Sequence, residues 1–172
     1  MHFKRNIKNM KVLLLSLGSN IGDRLGHINT AIQTLEKDLG KVISNASVYE
    51  TPSWGFNGNS FLNTCIEIET KCNTKECLTI IKKIETKIGR NKKTKTEYEN
   101  RPIDIDIIYS SEGIFNYDDL IVPHPLLQKR KFVLYPLNDI YPLYKHPLIH
   151  KNTLELIKNC DDNSEINFFT EI

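Results

Sequence analysis

The run Arg101-Pro102-Ile103-Asp104-Ile105-Asp106-Ile107-Ile108-Tyr109 alternates apolar residues with two carboxylates in a β-branched setting, the pattern of a half-buried strand. Residues i and i+2 of a strand share a face. Asp104 and Asp106 therefore point the same way, with Cα atoms roughly 6.5–7 Å apart, while Ile103, Ile105 and Ile107 point into the core. Two hard carboxylates on a rigid platform suit Mg²⁺, which takes one or two carboxylates and fills its remaining positions with water and phosphate oxygens. Immediately upstream lies a basic segment with Arg90, Lys92, Lys93, Lys95 and Arg101, interleaved with Glu97 and Glu99. Metal-binding acids beside a cationic loop point to chemistry on a polyphosphate. The same alternation also fits an exposed strand face whose acids pair with neighbouring Lys and Arg.

Three further groups of residues bear on that chemistry. Thr51-Pro52-Ser53-Trp54-Gly55-Phe56 carries the only Trp in a Gly/Pro loop, either a stacking lid for a ligand or a loop folded on its own small core. Phe61 and Asn63 share a strand face and offer stacking surface and a donor–acceptor edge, which a flat heterocycle needs; an ordinary sheet face would look the same. His124 sits between two prolines, a setting that is usually structural, but Lys129, Arg130 and Lys131 follow it and make phosphate contact credible.

The elements that must position these residues follow from periodicity. Lys11–Leu17 reads as a buried strand, and Gly18–Asp23 as a turn that caps the next helix. Leu25, Ile28, Ala31, Ile32, Leu35 and Leu39 recur at helical spacing up to Gly40. Val42–Glu50 reads as one strand and Phe61–Thr70 as another. Asn73 with Glu76 forms a capping box for a helix whose apolar stripe is Leu78, Ile81, Ile84 and Ile88, ending at Gly89. The 103–109 strand follows, then short extended pieces near Ile114–Phe115 and Leu120–Val122, a short helix at Pro123–Arg130 and another at Thr153–Asn159. The order β-α-β-β-α-β predicts an α+β, ferredoxin-like antiparallel sheet with helices on one face, plus a C-terminal extension that covers the other face or frames a site there.

The 172 residues suit one domain, expected over 11–172 with a polar N-terminal extension at 1–10. Lys4, Arg5, Lys8 and Lys11 before Val12–Leu15 mimic a signal peptide. The apolar run is short and passes directly into Ser19–Asp23 without a cleavage site, so a first strand is expected, with Met10 an alternative start. The formal net charge of +2 gives no global polyanion signal. Cys65, Cys72, Cys77 and Cys160 show no zinc spacing and read as reduced thiols of a cytoplasmic protein. No segment is long enough to span a membrane.

Together these residues resemble the 6-hydroxymethyl-7,8-dihydropterin pyrophosphokinase family of folate biosynthesis. The resemblance runs from about Val12 to Pro147. It rests on L-G-S-N-I-G-D-R at 17–24, Y-E-T-P-S-W-G-F at 49–56, F-L-N at 61–63, I-G-R at 88–90, R-P-I-D-I-D-I at 101–107, V-P-H-P-L at 122–126 and R-K-F-V-L-Y-P-L at 130–137. It implies a ferredoxin-like core and transfer of the ATP pyrophosphoryl group to the pterin hydroxymethyl group, with release of AMP. The chain is expected to act as a monomer. By the same resemblance, Asp104 and Asp106 hold two Mg²⁺ ions. Phe61 and Phe132 sandwich the pterin, and Asn63 reads its edge with the loop of Thr51, Pro52 and Trp54. Arg90 and Arg101 grip phosphates, with Arg101 nearest the reacting centre; Glu85 and His124 contact the nucleotide and Arg130 lies near it, while one of Lys92, Lys93 and Lys95 supplies the cation that the family has at position 97. The family carries R-W-G-P-R before the acidic strand, where this chain has Glu97-Tyr98-Glu99-Asn100-Arg101 in a loop one residue longer. Tyr98 then replaces the tryptophan as the aromatic lid, and loop 89–101 is expected to close over bound ATP.

Two other classes fit less well. A nucleic-acid-binding ferredoxin-like module stacks bases on sheet aromatics in a K/R-G-F-x-F-like strand, and neither 42–50 nor 103–109 carries one. In a D-x-D nucleotidyltransferase a Gly-Ser turn precedes the acids by about ten residues, whereas Gly18-Ser19 lies far upstream.

Overall fold

In the computed structural model of the chain, the described residues are 9–90 and 99–172. Strand β1 (Lys11–Ser19) leads through a turn into helix α1 (Arg24–Asp38), where the Asp23 side chain accepts the Gly26 backbone N–H. Strands β2 (Lys41–Asn45), β3 (Val48–Thr51) and β4 (Phe61–Thr70) follow. Helix α2 (Thr74–Lys87) begins at the Asn73–Glu76 capping box and stops before Gly89, whose φ of +105° suits a residue without a Cβ. Strand β5 (Asp104–Ser110) completes the ferredoxin-like unit. A small hairpin, β6 (Phe115–Tyr117) with β7 (Leu120–Val122), precedes helices α3 (Lys131–Ile140) and α4 (Thr153–Lys158) and strand β8 (Asn167–Thr170).

The sheet order is β5-β1-β4-β3-β8, with β2 also paired to β4 and every pairing antiparallel. Alternation along β1 explains the two cores. Leu13, Leu15 and Leu17 face α1 and α2 with Ile28, Leu35, Ile81, Ile103, Ile105 and Ile107. Val12 and Leu14 face the other way, with Cys65, Ile108, Val133, Leu134 and Leu137 under α3. The C-terminal part therefore covers only one end of the second face, and the acidic end of β5 stays beside it.

Three elements differ from the sequence expectation. The expected strand 42–50 is broken at Ala46–Ser47, although both halves run along β4. The Ala46 N–H keeps its bond to the Cys65 carbonyl at 2.8 Å, but the Ser47 N–H turns away to Asp139 Oδ2 at 3.1 Å. The expected helix at Pro123–Arg130 is a single 3₁₀ turn at Leu127–Lys129, and the true helix starts at Lys131. Pro136 inside α3 hid it, because an interior proline deletes a helix hydrogen bond. Its apolar face of Val133, Leu134 and Leu137 is buried and carries the helix through. Strand β8 has no strong alternation of its own and forms by pairing on β3.

Candidate active site

Sheet register sets the geometry. Gly18 of β1 pairs with Asp104 of β5 on one side and with Asn63 of β4 on the other. Directly paired residues share a face, so Asp104 and Asn63 flank Gly18 on the surface away from α1 and α2, about 10 Å apart across two strand spacings. Asp106 lies two residues along, opposite Ser16. The bare Gly18 backbone leaves room for its neighbours: a Cβ there would sit 2.9 Å from Asn63 Oδ1 and 3.4 Å from Phe61 Cδ1. Asn63 is 2% exposed and donates through Nδ2 to Thr51 Oγ1 at 2.9 Å, which fixes the edge of its amide.

Cations surround the carboxylates. Asp104 pairs with Arg90 at 2.5 Å and with Arg101 at 2.7 Å. Arg90 also pairs with Glu85 of α2, and Glu85 Oε1 accepts the Ile105 backbone N–H at 2.8 Å. Glu85 therefore ties α2 to the start of β5 and lies against Arg90 of the site. Its burial lifts its pKa to about 7; Arg90 pulls it down, and Asp104 adds to the rise. Burial also works against the charge on Arg90, but Asp104 and Glu85 outweigh it and hold that guanidinium above its ordinary pKa. On the other side, Asp106 lies 3.9 Å from His124 Nε2 and 4.0 Å from Arg130 Nη1. His124 Nδ1 accepts the Leu126 N–H at 3.2 Å, which leaves Nε2 to carry the ring proton toward Asp106.

Aromatic rings line the same region. The Arg101 guanidinium lies 5.3 Å from the Phe61 ring centre. That of Arg130 lies 4.9 Å from Trp54 and 5.5 Å from Phe132, and these two rings are 6.4 Å apart. Pro52 is exposed at the start of the loop, which folds on itself through Ser53 Oγ, donating to the Phe56 carbonyl at 2.7 Å. Lys92 and Tyr98, with Lys93, Lys95 and the body of the expected lid, lie outside the described residues.

The donor set fits Mg²⁺. Asp104 and Asp106 offer carboxylate oxygens only, and their side chains keep 15% and 34% exposure. Among the described residues no group of three or more His, Cys, Asp or Glu side chains gathers to hold a metal alone. Arg90 Nη2 and Arg101 Nε are buried without a hydrogen-bond acceptor among the described residues, donors suited to an anionic ligand beside Asp104. Sequence reasoning named neither Gly18 nor Asn20 as site residues. The G-S-N turn at 18–20 was the available signal, but it read as a helix-capping turn.

The sequence profile of the family described as 7,8-dihydro-6-hydroxymethylpterin-pyrophosphokinase (HPPK) matches residues 14–142. The chain belongs to this family. A relative from Aquifex aeolicus named 2-amino-4-hydroxy-6-hydroxymethyldihydropteridine pyrophosphokinase is 41% identical over 143 residues, covering 83% of this chain and 88% of that protein. One of the same name from Porphyromonas gingivalis is 36% identical over 80% of this chain and 95% of its own length. The HPPK fold is shared with a crystal structure of Plasmodium falciparum HPPK-DHPS, at a TM-score of 0.73 and 18% identity over 87% of this chain. The chain spans only 44% of that longer protein. No helix among the described residues is long and apolar enough to cross a membrane.

Proposed function

We propose that this HPPK-family chain transfers the pyrophosphoryl group of ATP to the hydroxyl of 6-hydroxymethyl-7,8-dihydropterin, releasing AMP. The observation that carries this reading is the row Asp104–Gly18–Asn63 across three strands. It sets a carboxylate–arginine centre beside a fixed amide edge and the Phe61 ring. One end suits phosphate chemistry and the other a flat heterocycle.

Charge supports the same reading. Glu85, Asp104 and Asp106 are matched by Arg90, Arg101 and Arg130, so the cluster is near neutral and a triphosphate arriving there requires more positive charge. Asp104 and Asp106 would hold two Mg²⁺ ions, which would supply that charge. The chain's own residues do the rest. Asn63, with Thr51, Pro52 and Trp54, orients the pterin between Phe61 and Phe132, with Tyr98 as its lid. Arg90, Arg101 and Lys92 neutralise the phosphates, and His124 and Arg130 contact the nucleotide from the Asp106 side. The hydroxymethyl oxygen then forms a bond to the β-phosphorus in line as the bond from that phosphorus to the α–β bridging oxygen breaks. AMP leaves with the electron pair, and the hydroxyl proton passes to solvent. Such a reaction asks for positioning and charge neutralisation more than for a strong base.

One chain supplies both carboxylates and both sets of cations, which supports a monomer as the working unit. The four cysteines are free thiols, which supports a cytoplasmic setting. An omit-one assay tests the function: AMP should accumulate only with protein, Mg²⁺, ATP and the reduced pterin together. AMP formation without pterin, or ADP in place of AMP, would overturn it.

A further inference from the structure

The hydrogen bonds at the base of two loops converge on one side chain. Asn20, 1% exposed, follows β1 in the turn to α1. Its Oδ1 accepts the Arg101 backbone N–H at 2.7 Å, and its own backbone N–H donates to the Arg101 carbonyl at 3.2 Å. Its Nδ2 donates to Asn100 Oδ1 at 2.6 Å and to the Asn59 carbonyl at 3.1 Å. The Asn59 N–H donates to the same Asn100 Oδ1 at 3.1 Å and closes a ring. Four residues along, Arg24 Nη1 donates to Glu50 at 2.6 Å and to the Ser60 carbonyl at 2.9 Å. The turn residue Asn20 and Arg24, the first residue of α1, thus hold both ends of the Trp54 loop, and Asn20 also holds the backbone that presents Arg101. Asparagine suits the hub because it offers an acceptor and two donors in one plane; aspartate keeps the acceptor and loses both donors.

We propose that Asn20 is a positioning residue for pyrophosphoryl transfer: it locks loop 51–60 to Arg101, so that the Arg101 guanidinium stays over Phe61 and against Asp104. The inference rests on the function proposed above. Asn20 touches neither Asp104 nor Phe61 itself in the bonds described; it acts through the Arg101 backbone. Without the lock, the pterin-side loop and the phosphate-side arginine move independently, and a misplacement of about 1 Å costs up to about 10²-fold in rate.

Two variants test it. Asn100→Ala removes an exposed side chain that bonds both Asn20 and Asn59, and Asn20→Asp keeps the acceptor for Arg101 while deleting both donors. The lock predicts that Asn100→Ala speeds hydrogen exchange at the Arg101 amide about tenfold, even though that amide keeps its own acceptor. In both variants kcat should fall about tenfold or more, while KM for each substrate changes by less than about threefold. The double variant should be no slower than Asn20→Asp, because the two changes break one network. Arg101 exchange unchanged in Asn100→Ala, or kcat within about twofold of the parent, would overturn the lock. If Asn20→Asp does not fold, Asn100→Ala decides alone. A parent protein that releases no AMP overturns the functional reading instead, and the exchange measurement then decides the lock.

Discussion

Asn63 lies directly over Gly18: a Cβ on Gly18 would stand 2.9 Å from Asn63 Oδ1. Real Cβ atoms do not tolerate such contacts, so Gly18→Ala must push the Asn63 amide away from its bond to Thr51 Oγ1. Both Gly18→Ala and Asn63→Ala should then weaken pterin binding, by roughly 1–3 kcal/mol for the loss of a buried partner. ATP binding should change far less. Calorimetry with each ligand separately checks this; equal losses for both ligands would indicate general misfolding.

Asp106→Ala should abolish turnover and leave the fold intact. Its side chain keeps 34% exposure, with His124 Nε2 at 3.9 Å and Arg130 Nη1 at 4.0 Å, so little buried surface is lost. Asp104→Ala should abolish turnover and also lower stability, because it leaves Arg90 and Arg101 without their shared carboxylate in a largely buried site. Thermal unfolding beside activity separates the two. Near-normal turnover of Asp106→Ala at saturating Mg²⁺ would sink the metal assignment.

Much of this was legible in the sequence because it depends on local rules. Alternation placed Ile103, Ile105 and Ile107 in the core and both aspartates on the opposite face. The Asn73–Glu76 box and Gly89 bounded α2. Helix α3 was not legible, since its Pro136 contradicts its local pattern and only burial against β4 resolves the conflict. Strand β8 exists through a partner about 120 residues away in sequence, which no local pattern reports. At the site, residue types were readable but partnerships were not. Local pattern does not show that Glu85 meets Arg90 and the Ile105 N–H; only the fold brings them together. The roles of Gly18 and Asn20 need the register between β1, β4 and β5.

Glu85 also gives a pH prediction. Burial raises its pKa from 4.5 to about 7 in the folded protein. Below 4.5 the group is protonated folded and unfolded alike, so its ionisation costs nothing there. As pH rises from 4.5 to about 7, the unfolded chain ionises first and folded stability declines. Denaturant unfolding of the parent and of Glu85→Gln at intervals between these limits should show the parent losing stability relative to the variant as pH increases. The opposite trend would mean that Arg90 and the Ile105 N–H together hold Glu85 ionised throughout.

The central claim is that the phosphate end and the heterocycle end of this surface act on two substrates in one reaction, with attack at the β-phosphorus. Product analysis of a single turnover, with protein in excess over Mg-ATP and reduced hydroxymethylpterin, tests it most directly. The account predicts AMP and pterin diphosphate in equal amounts. Pterin monophosphate with ADP, or AMP with free pyrophosphate and unmodified pterin, would contradict it.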